Sequence, residues 1–251
     1  GDKSNIGGGS YNCAIGDCSN IAGGELNYTG TNPALSGAPD EPYPVGLSGH
    51  NAFIGGGQSN QAIGNYSTVA GGFINKACGT NSNVAGGEFN TACGNNSNVA
   101  GGSSNCANGN NSNVAGGFSN CSIGIFSNVA GGRSNQAIGT CSNVAGGFTN
   151  TACGDCSAIL GGTTNIILPA HSSSFIIGSN ITSSASDTTF VNNLSSQGTV
   201  YGDSITANTQ IFVGANTVVQ NISGVEGIQR LTQTQYDGLT PNPDVLYIIV
   251  G

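Results

Sequence analysis

Basic residues are nearly missing from this chain, which has four Lys and Arg against twelve Asp and Glu in 251 residues and a net charge of −8. Nucleic-acid binding depends on cations that neutralise phosphates, and adhesion to anionic lipid depends on the same groups. Neither is expected here. Met and Trp are absent, and charged residues of both signs amount to 6%. No run of about 18 apolar residues occurs, so no membrane-inserted helix is expected. The opening Gly1-Asp2-Lys3-Ser4 shows neither a basic-then-apolar signal pattern nor an initiator Met, as in a processed or partial chain. Scarce large apolar residues bring the composition near the border of disorder. Yet the polarity is carried by Asn, Ser, Thr and 43 Gly rather than by charge. A chain of that kind gains order by repetition.

The hexapeptide Ser-Asn-Val-Ala-Gly-Gly recurs from Ser82, Ser97, Ser112, Ser127 and Ser142, always fifteen residues apart. Ala52, Ser67 and Ser157 keep the register, and Ser4 and Ser19 open two earlier copies. Ten copies thus cover 4–33 and 52–171, with consensus S-N-V-A-G-G-x-x-N-x-A-x-G-x-x. The intervening stretch 34–51 holds Pro39, Pro42 and Pro44 and reads as a loop inserted at one turn. Two parts follow: a repeat array over 1–171 and a β-rich region over 172–251.

Fifteen residues with two glycine clusters cannot hold a pair of helices. They suit one coil of an all-β, parallel β-solenoid, with short strands in x-N-V-A-G and N-x-A-x, each ended by a glycine turn. Position 9 is Asn in every copy, from Asn12 to Asn165. Asn tolerates left-handed turns, and stacked copies suggest an amide ladder. Val or Ile at position 3 and Ala at position 11 would fill a thin interior. Position 12 is also mostly apolar, as in Ile15, Ile63, Ile123, Ile138 and Leu168, with Asn108 as an exception. Adjacent strand residues point to opposite faces, so positions 11 and 12 cannot both face inward. The Val column already occupies much of the interior, which favours Ala inside and position 12 outside. An exposed apolar stripe marks an association surface, and a Val–Ala interior is small for a free-standing coil. An oligomer is expected.

The copies from Ser82–Asn96 to Ser142–Cys156 resemble the head repeats of trimeric autotransporter adhesins, the YadA-like heads, which share the S-x-V-A-x-G…A-x-G rhythm. The resemblance extends over about 150 residues. It implies a left-handed parallel β-roll with three chains around one axis, hence a homotrimer whose stripe is Ile15, Ile63, Ile123 and Ile138. Two departures stand out: the coil is usually one residue shorter in that family, and no coiled-coil stalk or anchor barrel follows the array in these residues. Phage and virus fibres borrow the same repeat. The ending from Leu231 to Val250 contains L-T-x-x-x-Y-D-x-L-x-P-x-x-x-x-L-Y-x-I and looks like an ending of tail fibres and appendages of tailed phages. Physically it reads as a short helix capped near Gly238, a turn at Pro241 and Pro243, and a buried terminal strand.

The nine Cys fall at three repeat positions. Cys78 and Cys93, Cys106 and Cys121, and Cys141 and Cys156 occupy equal places on consecutive copies. Rungs about 4.8 Å apart lie within disulfide reach, so these are candidate bridges suited to an oxidising, extracellular setting. The competing reading is a small apolar filler. Cys153-Gly-Asp-Cys156 lacks a second half, and the copies lack the repeated Asp of calcium solenoids, so no metal or cofactor is expected. His50 and His171 have no repeated Ser or Cys beside them, the carboxylates are scattered, and no enzyme is expected.

The expected function is a non-enzymatic trimeric fibre or adhesin of a virion, extracellular, working with tail or baseplate proteins and attaching to a host glycan or protein. A bacterial cell-surface adhesin head is the alternative location. An ice-binding solenoid is the alternative of another class, opposed by mixed positions 7 and 8 (Phe73, Ile74, Glu88, Phe89, Phe118, Phe148) where Thr columns would be needed. Binding residues are sought in the insertion, at Asp40, Glu41, Tyr43 and His50, on a loop held by a rigid scaffold; the competing reading is a structural loop.

Overall fold

The computed structural model describes residues 1–30, 48–192, 227–232, 237 and 245–250. The array is an all-β parallel solenoid. Each coil contributes two strands of two residues, such as Asn83–Val84 and Thr91–Ala92, at positions 2–3 and 10–11. Equal positions of successive coils pair in register: Asn83 with Asn98 and Val84 with Val99, then Thr91 with Cys106 and Ala92 with Ala107. Two sheets result, of twelve and ten strands among the described residues. Single bridges at position 7, from Ser10 to Thr163, add a third ladder at one end of the coil. Position 13–15 corners form the other end.

The interior is built from four residues per coil. Val at position 3 and Ala at position 11 are fully buried, for example Val99 and Ala92. Ser at position 1 and Asn at position 9 are buried beside them, as Ser97 and Asn105 are. β-Branched Val suits a pleated, half-buried strand, and Ala leaves room for it.

Two glycine columns permit the close stacking. At position 6 the backbone is left-handed, as at Gly87 with φ 84°, which glycine adopts without steric cost. At position 13 the constraint is space. A Cβ on Gly94 would stand 1.9 Å from the carbonyl oxygen of Gly109. The corners also place non-glycine residues in left-handed geometry, at positions 8 and 15, as Phe89 (φ 55°) and Asn96 (φ 54°) show. Such geometry costs about 1 kcal/mol or more. Stacking holds it in place: Phe89 N–H donates to Phe73 O at 3.0 Å and Asn96 N–H to Thr80 O at 2.8 Å.

The array crosses the insertion without a break, because Asn20 pairs with Phe53 and Tyr28 with Gln61. Residues 48–51 already belong to the returning corner, where Asn51 N–H donates to Asp17 O at 2.9 Å. The stacking also runs beyond residue 171, since Ala158 pairs with Phe175 and Phe175 with Thr189. The fifteen-residue period ends there, but the ladder does not.

The chain divides into units 1–195 and 196–251. In the second, Gly227–Thr232 pairs in parallel with Val245–Val250. Leu231 and Thr232, expected to open a helix, instead end a strand. A parallel pair requires a crossover between its strands, and Asp237, the one described residue of that crossover, is helical.

Candidate functional site

Inside the coil, Asn at position 9 does not occupy the left-handed corner expected of it. It lies one residue beyond, buried, and bonds mainly backbone, with one amide-to-amide contact from Asn27 Nδ2 to Asn12 Oδ1 at 3.1 Å. Asn105 Oδ1 accepts the N–H of Asn120 at 2.9 Å, and its Nδ2 donates to the carbonyls of Gly101 and Gly117, both at 2.9 Å. Each such Asn therefore ties its own glycine turn to that of the next coil. The amide-to-amide ladder is found outside, at position 2. Asn83, Asn98, Asn113 and Asn128 each donate to the next, the last of them to Asn143, at 2.7 to 2.8 Å. Asn at that place in five consecutive copies was the signal for it.

Buried Ser at position 1 divides into two kinds. Ser127 Oγ lies 2.6 Å from Ser122 Oγ and donates to Gly124 O at 2.6 Å. The hydroxyls of Ser67, Ser82, Ser97, Ser112 and Ser142 have no partner.

On the outer face of the second sheet, position 12 is uneven. Ile123 is 44% exposed, and Ile15 and Ile138 are half-buried. Ile63 departs from the expected exposed stripe, being only 3% exposed within the single chain. Cys78 and Cys93 form a disulfide in this column, and Cys106 and Cys121 form another at position 10. Cys141 and Cys156, expected as a third pair, are exposed free thiols on left-handed corners, with φ of 56° and 53°. That corner aims their side chains at solvent rather than along a strand face. Burial pushes the Cys153 thiol up from its ordinary pKa, which lowers its reactivity.

The insertion's Asp40, Glu41 and Tyr43 lie outside the described residues. His50, grouped with them, belongs to a coil corner instead: its N–H donates to Asn65 Oδ1 at 3.1 Å and its ring meets Tyr66 edge-on, centroids 6.1 Å apart. His171 Nδ1 lies 2.7 Å from Ser183 Oγ, a contact that sequence spacing did not suggest. Ser183 is buried and its Oγ also accepts the N–H of Leu168 at 2.9 Å. The pair closes the end of the array and offers no accessible nucleophile. Among the described residues, no group of three or more His, Cys, Asp or Glu is placed to hold a metal ion.

The remaining outward feature is the end of the coil at positions 7 and 8. Phe73 and Phe89 meet edge-on, centroids 5.5 Å apart. Further along, the Arg133 guanidinium lies over the rings of both Phe118 and Phe148.

The family model of a phage tail tip domain matches residues 227–250, the two paired C-terminal strands and their crossover. The model of a ubiquitous surface protein adhesin repeat matches residues 67–79, most of one coil. The chain fits a tail fibre or an adhesin. Phage tail and adhesin domains are typically structural rather than catalytic and belong to exposed surfaces. No curated protein matches the chain.

Proposed function

We propose that the chain is a non-enzymatic, homotrimeric fibre or tail appendage of a phage virion that attaches to a glycan or protein on the host surface. The observation that carries this reading is the joining, in one chain, of a tail tip match at 227–250 to a solenoid containing an adhesin-repeat match. Attachment needs a stiff spacer that does not stick to everything it meets. A ladder-bonded solenoid with few charges supplies stiffness, and its Asn, Ser and Thr surface limits unspecific contact.

The YadA-like head organisation and the trimer rest on the repeat rhythm and on exposed Ile123, with half-buried Ile138 on the next coil and half-buried Ile15 near the start of the same column. Fully burying an exposed Ile is worth about 1.5–3 kcal/mol, and a threefold axis multiplies each residue by three. Tail or baseplate proteins are the expected partners of the C-terminal unit.

Two measurements test the reading. Light scattering should give three times the single-chain mass, and a monomer at micromolar concentration refutes the trimer. Proteomics of purified particles should detect the chain. Its recovery only from a bacterial outer-membrane fraction would move it to the cell-surface adhesin reading, which the adhesin-repeat match equally supports. Ice binding gains no support from the outer columns, where Thr68, Thr91 and Thr151 stand singly; a thermal-hysteresis assay should be blank.

A further inference from the structure

We propose that Phe118, Arg133 and Phe148 form a binding site for the carboxylate of an acidic polysaccharide, an assignment that rests on the attachment reading above. The three residues occupy position 7 of consecutive coils. Backbone bridges join Phe118 to Arg133 and Arg133 to Phe148, so the side chains rise from one rigid ladder about 4.8 Å apart. The guanidinium carbon lies 5.4 Å from the centroid of the Phe118 ring and 5.6 Å from that of Phe148. Both rings are nearly half exposed, at 46% and 45%, and Arg133 is exposed between them.

This arrangement is built for an anion. A free Arg is long and loses much rotamer freedom when it grips a ligand, whereas one held between two rings has lost part of that freedom already. No protein carboxylate pairs with Arg133 among the described residues. Across residues 97–171 the only Lys or Arg is Arg133 and the only Asp or Glu is Asp155. Asp155 stands at the opposite end of its coil, where its Oδ1 accepts the N–H of Thr140 at 2.7 Å. In a chain of net charge −8, the ridge thus keeps an unneutralised cation in a stretch nearly free of repelling carboxylates. The guanidinium fork matches a carboxylate with two parallel hydrogen bonds. The flanking phenyl faces suit the C–H faces of sugar rings, and Ser119, Ser134 and Thr149 at position 8 supply hydroxyls for sugar hydroxyls. A polysaccharide running along the ladder meets all three kinds of group.

The test uses the full chain and a panel of uronate-containing polysaccharides, each beside its carboxyl-reduced, neutral form. Wild type should hold at least one native polysaccharide about tenfold more tightly than its reduced form, the loss expected for a charge-assisted hydrogen bond. Arg133→Gln should abolish that margin while unfolding at the wild-type temperature. Arg133→Lys should keep part of it, since it retains the charge without the fork. Equal binding of every native and reduced pair overturns the proposal, as does Arg133→Gln behaving like wild type. Retention of poly-glutamate with no polysaccharide retained overturns the glycan assignment as well. Failure here with host-cell attachment intact sinks only this site, whereas a chain that attaches to no host cell sinks the attachment reading itself.

Discussion

Replacing Asn105 with Ala removes one tie between coils, and the cost can be worked from its partners. Asn105 is buried, and its side chain serves three backbone groups: the N–H of Asn120 and the carbonyls of Gly101 and Gly117. Gly117 O also accepts the N–H of Ser103 at 3.0 Å, so it keeps a partner in the variant. Asn120 N–H and Gly101 O have no other. A buried group left unpaired costs about 1–3 kcal/mol; Asn120 is buried and Gly101 half-buried, so a loss of about 2–4 kcal/mol is predicted. Asn105→Asp should be worse at neutral pH, because it sets a carboxylate against two carbonyl oxygens and loses both donors. Asn98 provides the gauge. Its amide bonds Asn83 and Asn113 on the half-exposed outer ladder, where water replaces a lost partner, so Asn98→Ala should cost about 1 kcal/mol or less. Repeat arrays are held by nearest-neighbour interfaces, so the damage should be local. Denaturant unfolding gives the total, and hydrogen exchange at the Asn120 amide gives the site. An Asn105→Ala variant within about 1 kcal/mol of wild type, or no more costly than Asn98→Ala, would refute the reasoning.

Other outcomes follow from the same geometry. Each disulfide closes a fifteen-residue loop, worth about 3 kcal/mol; the Cys106→Ser, Cys121→Ser double variant should lose about that in non-reducing denaturant, and peptide mapping that finds both thiols free in wild type would contradict it. Gly94→Ala should fail to fold, because its Cβ meets the backbone of Gly109, whereas Gly23→Ala, with nothing within 4 Å, should unfold as wild type does. Ser97→Ala deletes a buried hydroxyl without a partner and should leave stability unchanged or raise it, while Ser127→Ala strands Ser122 and should cost about 1–2 kcal/mol by thermal unfolding; the reverse order would mean the two hydroxyls are assigned wrongly. Ile123→Asp should lower the solution mass to that of one chain with the fold intact by circular dichroism, whereas Ala92→Asp, at a fully buried position, should unfold the chain; a trimer that survives Ile123→Asp would place the association surface elsewhere.

The period and the strand positions were legible because stacking turns fifteen-residue spacing directly into contact. The facing of positions 11 and 12 was harder, since both are apolar: Ala92 lies inside and Ile123 outside as the Val column suggested, yet the coil of Ile159 takes Ile167 inside as well, so volume alone does not set the facing. The corners were not legible at all. Left-handed geometry falls on Tyr11, Ile74, Phe126 and Cys141, residues with no common preference for it, because inter-coil hydrogen bonds impose it. Asn takes it as well, at Asn81, Asn96 and Asn111, but the Asn of position 9, where the corner was expected, was needed inside. Its sameness in all ten copies, beside corners that vary freely, distinguishes a residue serving three fixed backbone partners from one that merely tolerates a turn. The Arg133 ridge was hidden for the opposite reason. Positions 7 and 8 vary so much that they read as noise down a column, yet Phe118, Arg133 and Phe148 are spaced fifteen apart and therefore touch. In a solenoid, the invariant columns build the rod, and local runs within variable columns are where recognition chemistry can be placed without disturbing it.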